Sequence, residues 1–124
     1  MDTQTHLLPL RIAKATLAGG AGSTVVYSKK VPLNNLVKVE AEIRAEDGTD
    51  TALYILTAVF RNKAGTTDIV GSVVKDAFET DGSWDATIAA NDTDDTFEIS
   101  FTPDGSNATT YVGDVRVSQF AENL

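Results

Sequence analysis

Between Val37 and Arg44 apolar and charged residues alternate without a break, with Val37, Val39, Ala41 and Ile43 against Lys38, Glu40, Glu42 and Arg44. A repeat of two is that of an extended strand with one buried and one wet face. Similar alternation recurs along most of the chain, and no segment shows the 3.6-residue repeat of an amphipathic helix. The segment Ala52–Phe60 is apolar on both sides: Leu53, Ile55 and Val59 fall on one face, and Tyr54, Leu56, Ala58 and Phe60 on the other. A strand of that kind belongs in the centre of a sheet, or has one face against another subunit.

Further strands are expected at Arg11–Leu17, Thr24–Val31, Asp68–Lys75, Trp84–Ala89, Phe97–Thr102 and Thr110–Phe120. Turn residues bound them: Gly19-Gly20-Ala21-Gly22, Asp47-Gly48, Lys63-Ala64-Gly65, Asp81-Gly82 and Pro103-Asp104-Gly105. About eight short antiparallel strands with Gly- and Asp-rich turns predict an all-β fold, a β-sandwich of jelly-roll-like character. With 124 residues the chain has the size of one domain. Residues 11–124 are assigned to that sandwich, and residues 1–10, with the apolar cluster Leu7, Leu8, Pro9 and Leu10, to an N-terminal arm or a first strand.

The chain has no cysteine, so neither a disulfide framework nor a thiolate metal site is available. A net charge of −8 disfavours nucleic acid and anionic lipid as partners. No apolar run reaches the roughly 20 residues of a membrane-spanning helix. Met1-Asp2-Thr3-Gln4 lacks the basic and apolar regions of a secretion signal, which places synthesis in a cytoplasm. His6 is the one histidine, and no Gly-x-Ser-x-Gly elbow is present, so no enzyme, cofactor or resident metal is expected. The acidic stretches Glu46–Asp50 and Asn91–Asp95 lack the pattern of a calcium loop and read as solvent-facing turns whose Asp and Asn side chains bond their own backbone. Trp84, entering a strand, reads as a core anchor rather than a sugar-stacking platform, while Tyr27, Tyr54 and Tyr111 suit a boundary between dry and wet surroundings.

One ordered set of segments runs from Lys38 to Ser118. It comprises the alternating strand ending at Arg44, an acidic turn, the strand ending Ala58-Val59-Phe60-Arg61-Asn62, and Gly65-Thr66-Thr67 with Ile69-Val70-Gly71-Ser72. Asp81-Gly82-Ser83-Trp84-Asp85-Ala86 and the closing strand Tyr111-Val112-Gly113-Asp114-Val115-Arg116-Val117 complete it. This order resembles a β-sandwich module of tailed-phage virion proteins, found in capsid decoration (cement) proteins and distal tail-fibre domains. The resemblance implies a virion-surface structural protein, and a homotrimer. A chain beginning at Met1 favours a decoration protein on the major capsid protein lattice, stabilising the head. The alternative is a tail-fibre or head-fibre module that recognises a host glycan or surface protein.

Docking is expected to rest on local apolar contact and backbone pairing, because an acidic body has little long-range attraction for an acidic shell. The candidate contact residues are Leu7, Leu8 and Leu10 near the chain end, the cations Arg11, Lys14, Lys29 and Lys30, and Tyr54 and Leu56 of the two-faced strand. Deleting residues 2–10 is then expected to leave a folded domain that no longer decorates particles.

Overall fold

The computed structural model describes residues 6–103 and 107–121, with side chains from Leu10 onward in those ranges. The tip of the turn expected at Pro103-Asp104-Gly105, the tail residues 122–124 and the side chains of Leu7 and Leu8 lie outside what is described. Among the described residues there is no helix. Nine strands are present: β1 (His6–Leu17), β2 (Thr24–Lys30), β3 (Asn35–Glu46), β4 (Thr51–Lys63), β5 (Thr66–Ile69), β6 (Val74–Glu79), β7 (Asp85–Asn91), β8 (Thr96–Thr102) and β9 (Thr109–Ala121).

They form two antiparallel sheets, the arrangement of a β-sandwich. The larger has the order β1-β9-β3-β4-β5, with β6 also paired to β4, and the smaller has the order β2-β8-β7. First pairs with last, β1 with β9, and β2 with β8, the nested pairing that gives the fold its jelly-roll-like character. In contrast, β3 and β4 form a hairpin within one sheet, in register from Asn35↔Asn62 to Glu46↔Thr51. Asp47 closes that hairpin by accepting the Thr49 and Asp50 N–H groups on one carboxylate oxygen, at 2.9 and 2.7 Å. The two residues between β4 and β5, Ala64 (φ 54°) and Gly65 (φ 92°), both take positive φ, as the tightest hairpin turn requires.

The segment expected as one strand, Asp68–Lys75, is divided between β5 and β6. Both pair with β4, but between Phe60↔Ile69 and Thr57↔Val74 two residues of β4 face four of the partner. Gly71, at φ 80°, allows the outward bend that the extra residues demand. At the other edge, residues 6–10 are the first part of β1, with Leu7 opposite Ser118 and Leu8 opposite Val117. Pro9 is tolerated there because β1 is an edge strand, and a bulge at Ala13 and Lys14 interrupts its ladder.

The sheets meet through their inward faces. Val37, Val39, Ala41 and Ile43 of β3 are buried, as are Tyr54, Leu56, Ala58 and Phe60 of β4. Phe97, Ile99 and Phe101 of β8 and Ala86 and Ile88 of β7 close the core from the other side. Aromatic contacts join the layers: Phe60 stacks on Phe97 (5.6 Å between centroids, 16°), and Phe101 lies near Tyr54 and Tyr111 at 6.3 and 6.2 Å. Trp84 is the expected core anchor, edge-on to Phe101 at 6.0 Å. Each such pair adds about 0.5–1.5 kcal/mol beyond the area it buries.

Polar groups clasp the layers at one end. Asn62, buried, donates to the Val31 carbonyl (2.9 Å) and accepts the Gly65 N–H (3.1 Å). The acidic loop 91–95, expected to face solvent, is tied into the same region. Asp92 accepts the Thr67 N–H (2.7 Å), Asp95 accepts the Thr67 hydroxyl (2.9 Å), and the Asp95 carbonyl accepts the Val31 N–H (2.8 Å). Its carboxylates therefore join the smaller sheet to β5 rather than merely solubilising a tip.

Candidate functional site

Strand parity decides which side chains can meet another molecule. On β4 the even residues point into the core, and Tyr54 and Leu56 are both 0% exposed. As contact residues they are corrected to core residues, because the second sheet covers their face of β4. The Tyr54 hydroxyl donates to Glu79, and burial, followed by that bond, pushes its pKa far up. The odd residues of the same strand, Leu53, Ile55, Thr57 and Val59, are half-buried on the outer face of the larger sheet.

The register extends that face across the sheet. Outward of β3 stand Lys38, Glu40, Glu42 and Arg44, and Arg44 reaches Glu42 (3.4 Å) and Asp114 of β9 (3.3 Å). Arg11 of β1 is exposed opposite Asp114. A shallow open depression of about 610 Å³ lies here, lined by Arg11, Glu40, Glu42, Ile55, Asp114 and Arg116 among others. On the other side of β4, β6 is exposed along its whole length, with Val74 at 61% and Phe78 at 59%. Phe78 lies opposite Leu53, and Val74 opposite Thr57. The outer face is thus divided into a charged stripe over β3, β9 and β1 and a mainly apolar stripe over β4 and β6, interrupted by Asp76.

The other contact residues expected from sequence are dispersed. Leu10 is partly buried and packs against the core. Arg11 and Lys14 stand exposed on β1 of the larger sheet, whereas Lys29 (half-buried) and Lys30 (exposed) are on β2 of the smaller. Along the strands they also diverge: Lys14 is next to Ala15, which pairs with Tyr111, while Lys30 donates to the Asp94 carbonyl at the opposite end. The four cations do not form one basic patch. Phe78 lies beyond the strand expected at Asp68–Lys75, and Val74, within that strand, was not marked as a surface residue; with Asp76 between them on the same face, the two show no apolar alternation in the sequence.

Two exposed carboxylates are held below the usual range by visible donors. For Asp47 these are the Asp50 and Thr49 N–H groups, and for Asp68 the Arg61 guanidinium, at 2.8 and 3.3 Å. Among the described residues, no group of three or more His, Asp or Glu side chains is arranged to hold a metal ion.

No family model matches the sequence, and no curated protein matches it. Among solved structures, the chain is similar to a tailspike protein, gp49 of the Acinetobacter baumannii bacteriophage Fri1, described as a capsular polysaccharide depolymerase. The superposition covers 92% of this chain and 18% of that one, with 12% sequence identity and a TM-score of 0.40. This chain therefore spans less than a fifth of that protein's length.

Proposed function

We propose that this chain is a non-enzymatic structural module of a tailed-phage virion. In this reading it is a decoration protein on the head surface, bound to the major capsid protein lattice and stabilising the shell. The observation that carries the reading is the outer face of the larger sheet, where half-buried Leu53, Ile55 and Val59 lie beside outward-facing charges on β3. A broad face with apolar and charged stripes side by side suits another protein surface, where apolar contact and polar pairing can both be made. The order of strands and turns from Lys38 to Ser118, which resembles phage virion modules, supplies the virion context.

Two measurements test it. Quantified in purified particles, the protein should occur in proportion to the shell subunits; a copy number matching tail components would place it in a tail or fibre instead. In co-sedimentation with stripped capsids, Ile55→Glu should stay folded and lose binding. Undiminished binding by that variant would remove the outer face from the contact.

A further inference from the structure

The free edge of β6 has a backbone and side-chain pattern that complements itself. Thr80 N–H donates to the Thr51 carbonyl at 3.1 Å, one step beyond the register pair Ala52↔Glu79. In an antiparallel ladder, hydrogen-bonded and non-bonded pairs alternate. Counting back from Thr80, Phe78, Asp76 and Val74 direct their backbone groups to β4. Glu79, Ala77 and Lys75 direct theirs away from it. Among the described residues no other strand covers that side, since β6 pairs with β4 alone and all its residues are exposed.

We propose that β6 pairs antiparallel with β6 of a second copy of this chain, about a two-fold axis at Ala77. Ala77 then faces the partner's Ala77, and Lys75 faces the partner's Glu79 on both sides of the axis. This register engages every outward-directed N–H and C=O of the strand, in three hydrogen-bonded pairs. Charge disfavours one of the two neighbouring registers: a slip of one residue on each strand that centres the axis on Asp76 sets two like carboxylates directly opposite. The inner side carries the opposite charges. Lys75 already donates to Asp85 (2.6 Å) and the Ala86 carbonyl (3.1 Å), which leaves one of its three protons. Glu79 accepts from Tyr54 on one oxygen, Oε2, and has the other to offer. On the outer side Phe78 becomes a diagonal neighbour of Phe78 and Val74 across the axis, within reach of long side chains. Phe78 itself faces the partner's Asp76, so the two exposed apolar residues of β6 gain neighbours across the seam with Asp76 set between them.

An edge lysine commonly blunts sheet-to-sheet association. Here antiparallel pairing places it against glutamate, so the same residue sets register instead of blocking contact. A two-fold contact closes at two copies, in place of the threefold assembly implied by the sequence resemblance. The pairing does not depend on the capsid reading, because it concerns the isolated chain.

Sedimentation and light scattering of the purified chain should show a dimer that dissociates on dilution. Ala77→Pro removes an N–H directed away from β4, so the monomer should keep its far-ultraviolet spectrum while dimer dissociation becomes at least about tenfold easier. The register has its own readout in this cysteine-free chain. In a hydrogen-bonded pair the Cα atoms are about 5.5 Å apart, inside the disulfide range. Ala77→Cys should therefore cross-link on mild oxidation, whereas Asp76→Cys, with its twin roughly 7–8 Å away on the diagonal, should not. A monomer at every concentration, a trimer, a folded Ala77→Pro variant that dimerises unchanged, or cross-linking through Asp76→Cys in preference to Ala77→Cys would each overturn the proposal.

Discussion

Gly113 is the residue at which β9 has no room for a side chain, and replacing it with alanine tests the central packing of the larger sheet. A Cβ there would stand 2.3 Å from the Glu42 carbonyl oxygen and 3.0 Å from the Ile12 Cδ1. The first obstacle is backbone of the neighbouring strand, so β9 and β3 must separate by about 1 Å to restore ordinary contact. That movement strains a ladder in the middle of the sheet. Overpacking of this kind costs about 1–3 kcal/mol, and the loss of glycine's unfolded-state freedom returns about 0.4–1 kcal/mol. The expected net destabilisation of Gly113→Ala is about 1.3 kcal/mol, or roughly 4–7 °C in Tm for a chain of this size. Gly22 is the control, because a methyl group added there would meet nothing within 4 Å: Gly22→Ala should be neutral or slightly stabilising. Urea unfolding followed by the fluorescence of buried Trp84 measures both. If Gly113→Ala matches the parent within about 0.5 kcal/mol, the close approach of β9 to β3 is wrong.

Leu56→Asp places an unpaired carboxylate in the core and should unfold the protein at 25 °C, whereas Ile55→Asp, one residue along on the outer face, should fold; equal circular dichroism spectra would contradict the assignment of faces. Asn62→Ala leaves the Val31 carbonyl and Gly65 N–H without their partner and should cost about 1–3 kcal/mol, read from urea midpoints. Asp47 and Asp68 have folded-state pKa values below their unfolded ones, so their stabilisation is present above the unfolded pKa and lost as pH falls through the folded one. Thermal melts from pH 7 to strongly acid should therefore decline below about pH 4, and less steeply in an Asp47→Asn, Asp68→Asn double variant; parallel curves would sink this.

Legibility in the sequence followed the strength of the local pattern. β3 could be read residue by residue because its apolar and charged positions alternate cleanly, and the two-sided apolarity of β4 correctly implied a central strand. Turns marked by Asp47-Gly48 and Ala64-Gly65 were equally plain, since both depend on backbone chemistry contained in the turn itself. The break between β5 and β6 was hidden, because Ile69-Val70 and Val73-Val74 continue an extended pattern through Gly71. Only the register against β4 shows two residues facing four. Dispersal of the four cations was likewise unreadable: it depends on β1 and β2 joining different sheets, a non-local outcome. The acidic loop 91–95 shows the same limit. Its composition says turn, but the use of Asp92 and Asp95 on Thr67 arises only when β7 and β8 are brought beside β5.

These placements change which experiment can locate the contact with a partner. The sequence left residues 1–10 as a terminal arm or a first strand, and the arm was to be tested by deleting residues 2–10. In the structure, residues 6–10 pair with β9 from Gln119 to Val115. Their removal would bare that stretch of the β9 edge, and it would also strip Leu10 from the core. A truncated chain that failed to bind would then report damage to the sheet as readily as loss of a docking segment. A single outward residue of β4 avoids this ambiguity, because its strand is held on both sides and its inward neighbours are untouched. Ile55 meets that condition: it lines the depression on the outer face, between Glu42 of β3 and Asp76 of β6 in register. A charge introduced there changes the surface offered to a partner while Tyr54 and Leu56 keep the core closed, so lost binding by a folded Ile55→Glu chain would assign the contact to the sheet face.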